Sequence, residues 1–183
     1  MPSPRPAALA ALHVALTLIA VVPSPARADD AQDVERLLRA GKPAEALARV
    51  DRSLAAKPAD PRLRFLKGVA LADAKRIPEA TEMLVKLTEE YPELAEPYNN
   101  LAVIYAAEGR HDKARAALEA ALRANPGYAT AHENLGDVYA RLAAASYQSA
   151  LRLDPAGRSA TAKLALVRGV FAAAPEPSAS TPR

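Results

Sequence analysis

Apolar residues fall in two kinds of pattern along this chain. Ala7–Val22 is one long apolar run, whereas from about residue 29 onward apolar and polar positions interleave with the period of an amphipathic helix. In the stretch Tyr98-Asn-Asn-Leu-Ala-Val-Ile-Tyr105, residues 98, 101, 102 and 105 stand at i, i+3, i+4 and i+7 on one helical face. Gly109 ends that helix and Asp112 begins the next, whose inward stripe is Ala114, Ala117, Leu118 and Ala121, before Asn125-Pro126-Gly127 stops it. The same arrangement returns every 34 residues: Pro58, Pro92 and Pro126; Ala46, Ala80 and Ala114; Leu71, Tyr105 and Tyr139; Gly68, Ala102 and Gly136; Leu84 and Leu118. A small residue in the Gly68/Ala102/Gly136 column lets a second helix come close. The pattern therefore predicts repeated antiparallel helix pairs that must stack, because one pair cannot cover its own apolar face.

These residues resemble the tetratricopeptide repeat, a 34-residue helix pair with aromatic, Leu, small, Tyr, Gly, Ala and Pro at set places. The fit is closest in Tyr98-x2-Leu101-Ala102-x2-Tyr105-x3-Gly109-x4-Ala114-x3-Leu118-x2-Ala121-x4-Pro126. Residues 61–94 form another unit that departs by carrying Arg64 at the aromatic place and Lys67 at the Leu place, with Phe65 and Leu66 compensating one position away. Residues 29–58 make a partial first unit through Gly41, Ala46, Val50, Ser53 and Pro58. The resemblance implies an all-α fold, a right-handed α-solenoid of about three helix pairs over residues 29–173.

The fourth unit, 129–155, breaks the rule. His132-Glu-Asn-Leu135-Gly136-Asp-Val-Tyr139 opens it and Ala150-Leu-Arg-Leu-Asp-Pro155 closes it, yet Pro126 and Pro155 are only 29 residues apart. The five missing residues are the turn, and Val138–Leu153 contains no Gly, Pro or Asn. One continuous helix over about 129–153, ~37 Å long, is predicted in place of a pair. Ala143, Tyr147, Ala150 and Leu151 would then project with no second helix beneath them. Residues 159–172, with Ala160, Leu164, Val167 and Phe171 on one face, form a helix able to cap them. Exchange of this region between two protomers and a tight loop near 144–146 stand as alternatives. Residues 174–183 are read as a disordered tail.

The N-terminal run changes the location. Arg5, the apolar stretch and the small-x-small site Ala26-Arg27-Ala28 make residues 1–28 a cleavable secretory signal, placing the mature chain in the periplasm. The run spans ~24 Å as a helix, short of the ~30 Å hydrocarbon core, so a membrane is a partner only if the signal stays uncleaved. Cleavage reduces the formal charge from +3 to about +1, which gives no footprint for nucleic acid. With no Cys, disulfides, thiolate chemistry and Cys-ligated metals are excluded. Beyond His13 in the signal, only His111 and His132 remain: one in a turn as a solvated or capping residue, one in the aromatic column as packing. There is no phosphate loop, nucleophile elbow or HExxH. Neither an enzyme nor a cofactor is expected.

The resemblance implies that the first helices of the pairs line a concave side where an extended segment binds. Outward positions there include Phe65, Leu66 and Val69 in one unit, Asn99, Asn100 and Val103 in the next, and Asn134, Asp137 and Arg141 in the fourth. Asn100 and Asn134 share a column and form an amide ladder able to bond a peptide backbone. Where related chains grip a C-terminal carboxylate with Lys, Asn and Arg, this sequence has Phe65, Val69, Asn100, Thr130 and Asn134, and only Asn100 matches. The expected role is a periplasmic scaffold for another envelope protein or peptide. The alternative is a structural protein that forms a homodimer through Ala143, Tyr147, Ala150 and Leu151 on the long helix.

Overall fold

The computed structural model describes residues 30–172, so the expected signal segment and the expected tail lie outside the described residues. Among the described residues all regular structure is helical. The order is α1 (Asp30–Arg39), α2 (Pro43–Ala56), α3 (Pro61–Asp73), α4 (Ile77–Glu90), α5 (Ala95–Ala107), α6 (His111–Ala124), α7 (Ala129–Leu153) and α8 (Arg158–Ala172). Each helix packs on the next, and α1 also meets α3 as α5 meets α7, which is the neighbour pattern of a solenoid.

The turns inside the first three pairs are the same device. Gly41, Lys75 and Gly109 adopt φ of 66°, 63° and 74°. The next N–H in each case reaches back five residues, as in Lys42 to Leu37 (3.0 Å), Arg76 to Leu71 (2.9 Å) and Arg110 to Tyr105 (2.8 Å). A left-handed residue with that back-bond satisfies the last carbonyls of the first helix and reverses the chain. Lys75 does so without the freedom of Gly. Starts are set by Pro43 and Pro61, which give up no needed N–H, and Asp60 accepts from the Leu63 N–H at 3.1 Å. Helix α6 begins at His111, one residue before the expected Asp112, and no side chain caps it.

The core is one line of apolar residues in two linked clusters. Val34, Val50, Leu63, Leu84, Leu101 and Ile104 anchor the first, and Ala102, Ala114, Leu118, Ala121 and Val138 the second. Half-buried Tyr105 and Ala117 belong to both. The polar departures in the 61–94 unit have partners. Arg64 forks onto Glu90 of α4, and Lys67 meets Asp51 of α2 at 2.7 Å, while Leu66 takes a core place and Phe65 packs half-buried against it. Leu66 thus faces inward, not into the groove. A Cβ on Gly68 would sit 3.0 Å from Leu84 Cδ2, so the small column is a real close approach in this pair.

Helix α7 runs unbroken for 25 residues, and α8 folds back along its second half. Within the one chain α8 has apolar and cationic partners on α7. Leu164 is buried, Arg141 lies over the Phe171 ring (4.5 Å to the centroid) and Lys163 over Tyr147 (5.9 Å). The cover is thin. Leu153 and Leu166 remain 89% and 75% exposed.

Candidate functional site

The concave side opens between α5 and α7 into a cavity of about 440 Å³. Its wall on α5 is Ala102, Val103, Ala106 and Ala107, and its wall on α7 is Asn134, Asp137, Val138 and Arg141, with Leu118 at the floor. The space exists because α5 presents three alanines toward α7, too small to fill the gap between the helices. Val103 stands half exposed at 51% on one wall, and Asp137 and Arg141, one turn apart, bring opposite charges to the other.

Four residues expected in the groove meet here: Val103, Asn134, Asp137 and Arg141. The others do not. Asn99 is 5% exposed, and its Oδ1 accepts from Asn134 Nδ2 at 2.8 Å. That corrects its assignment as a groove residue: a buried amide must be paired, and this one ties α5 to α7. Asn100 is half-buried and donates to the Glu96 carbonyl one turn back (3.0 Å). The two ladder amides are therefore each committed on one N–H within the fold, and Asn100 lines none of the cavities. Phe65 lies apart, in an apolar notch of about 320 Å³ with Pro61, Leu66, Leu94 and Pro97, and half-buried Val69 lines neither cavity. Of the residues expected to self-associate, Ala143, Tyr147 and Leu151 are half-buried and Ala150 is exposed.

A third cavity of about 290 Å³ lies where α8 returns over α7, lined by His111, Arg141, Ala144, Ala145, Gln148, Arg168 and Phe171. Sequence reading missed it. His111, expected as a solvated or capping residue, is half-buried there and caps no helix, and its Nδ1 is buried without a hydrogen-bond partner. His132, expected in packing, is instead exposed with Nε2 3.0 Å from the Pro126 carbonyl. One signal was available. Residues 30–138 carry 16 Lys+Arg and 18 Asp+Glu, whereas residues 139–172 carry five cations and one acid.

The ion pairs follow the same division. Arg49 joins Asp30 and Asp33 (2.7 and 3.1 Å), and Arg76 holds Glu79 at 2.6 Å. Arg36 and Arg49 hold the Asp33 carboxyl below its ordinary range, and Arg64 and Arg76 do the same for Glu90 and Glu79. Among the described residues no group of three or more acidic or His side chains could hold a metal, and no helix is long and apolar enough to cross a membrane.

Stacked helix pairs with an open inner face define an α-solenoid, the class to which the fold belongs. Residues 37–104 match the family model "Tetratricopeptide repeat" and residues 103–142 match "TPR repeat". The repeat region of this chain belongs to the tetratricopeptide-repeat family. The chain is 34% identical over 100 residues to the chloroplast tetratricopeptide repeat domain-containing protein PYG7 of Arabidopsis thaliana, covering 50% of this chain and 33% of the relative. It thus spans about a third of that relative's length. Among solved structures, TTC0263, a thermophilic TPR protein of Thermus thermophilus, is 25% identical with a TM-score of 0.60, covering 78% of this chain and 81% of that one. The second TPR domain of human RPAP3, in complex with the HSP70 peptide SGPTIEEVD, is 17% identical with a TM-score of 0.53, covering 60% and 92%. At that identity the likeness to RPAP3 is one of fold.

Proposed function

We propose that this protein is an exported interaction scaffold that holds an extended segment of an envelope protein in the α5–α7 groove. The observation that carries the reading is the groove itself: an open trough with a half-exposed Val103, the Asn134 amide, and both charges on one wall. Such a lining offers apolar contact and backbone-directed bonds together. A peptide complex of the same fold, that of RPAP3, supports the reading at the level of architecture. Export rests on the sequence of residues 1–28.

A photo-cross-linking residue at 103, compared with one at the exposed Arg52, tests the site. The captured segment, made as a synthetic peptide, binds the mature chain and loses binding to Val103→Arg, while circular dichroism is unchanged. Equal labelling from both positions sinks the groove. Mass spectrometry of the periplasmic protein finds Asp29 at the N-terminus, and a retained signal refutes cleavage.

The alternative, a dimer built on the long helix, draws on Leu153, exposed at the end of α7, with Leu166 and Val170 exposed on the adjacent α8. A mass that rises with concentration in light scattering supports it, and a strict monomer removes it.

A further inference from the structure

We infer that the cavity between the start of α6 and the α7–α8 hairpin receives a carboxylate of the bound segment, so that the partner is an acidic peptide. The inference rests on the groove reading above and extends it to partner chemistry. Arg141 lines both cavities, which makes the basic one a continuation of the groove. Arg168 adds donors from α8, and Gln148 adds an amide further along α7. Among the described residues neither Arg141 nor Arg168 has a carboxylate within ion-pair distance, whereas most cations of α1–α4 are paired.

The carboxylates nearest in sequence to the α6 start are already engaged. Glu108 holds Arg110 at 2.8 Å, and Asp112 meets Arg115 at 3.5 Å. Arg141 is stacked on Phe171, so its fork is held in place before a ligand arrives, and a planar guanidinium matches a carboxylate in two bonds. The buried, unpartnered Nδ1 of His111 supplies the independent sign that something is missing here. In the tautomer that protonates Nδ1 it is a donor awaiting an acceptor. Asp137 lies one turn earlier on the groove wall, so the acid of the guest belongs beyond Arg141, with a neutral or basic residue opposite Asp137.

A random dodecapeptide display library panned against the mature chain tests this, with Arg168→Gln, His111→Ala and Arg168→Lys as variants checked by circular dichroism. The expected pool is enriched in Asp and Glu. Its members bind Arg168→Gln about two- to fivefold more weakly, as for an exposed charge pair, and Arg168→Lys restores part of the loss. Raising the salt to about 0.5 M weakens the same peptides on the wild-type chain. A pool without acidic enrichment, or an acidic pool indifferent to both Arg168→Gln and His111→Ala, overturns the inference. A neutral pool that binds the wild-type chain but not Val103→Arg overturns it while leaving the groove standing. No pool at all defeats both. Co-sedimentation with phosphatidylglycerol vesicles in place of peptide capture assigns the cations to lipid and likewise overturns it.

Discussion

The units at 61–94 and 129–155 start from the same columns and end as different structures. In the former, Gly68 lies against Leu84 of its own second helix, Leu71 is 2% exposed, and the chain reverses at Lys75. In the latter, Gly136 has nothing within 4 Å of a built Cβ, Tyr139 is 48% exposed, and Ala143, in the place of Lys75, continues the helix. A repeat column acquires its meaning from the helix that packs against it. When that helix is drawn out straight, the small residue loses its reason and the aromatic its cover.

Truncation in the two regions gives the widest separation. Leu84→Ala opens a cavity under a fully buried side chain and costs about 3 kcal/mol in urea unfolding. Tyr147→Ala, half-buried under Lys163 at the corresponding place in the fourth unit, costs about 1 kcal/mol. Equal costs would mean that α8 covers α7 as fully as α4 covers α3.

The glycines sharpen the contrast by sign. Gly136→Ala stabilises by about 1 kcal/mol, because helix propensity rises in open space. Gly68→Ala destabilises by about 1 kcal/mol, because Leu84 must leave its rotamer in a packed core. Thermal melts of the two variants move in opposite directions, and a common direction breaks the account.

The turns offer a second pair of opposite signs. Lys75→Gly relieves a left-handed side chain and gains about 1 kcal/mol, whereas Ala143→Gly loses about 1 kcal/mol inside α7. Denaturant midpoints measure both.

The smallest effect is in pH. Asp33, Glu79 and Glu90 have folded-state pKa values held below ordinary by Arg partners, so their stabilisation is present above the unfolded carboxylate range near 4. It fades as pH falls through the lower folded values. Hydrogen exchange corrected for intrinsic rates shows α1–α4 loosening between about pH 4.5 and 3, while α8, which has no acid of its own, changes less for this reason. Uniform loosening contradicts the division.

The helix pairs, the continuous α7 and the fold-back of residues 159–172 were legible because each depends on local periodicity and on a missing turn. Asn99 shows where legibility stopped. Its position on α5 reads as outward, yet the approach of α7 brings Asn134 within 2.8 Å and buries it. The basic cavity was hidden for a like reason, since His111, Arg141 and Arg168 come from three helices whose spacing no single helix reports.

The amino-acid order alone set the 34-residue period, the starts and reversals of the helices, and the loss of one turn, because backbone hydrogen bonding and the burial of an apolar stripe act over a few neighbouring residues. Which faces meet was decided in three dimensions. Packing alone joined Asn134 to Asn99, left alanines facing a trough, and gathered two guanidiniums without ion-pair partners beside a half-buried imidazole, because contact between distant helices depends on how closely their backbones approach.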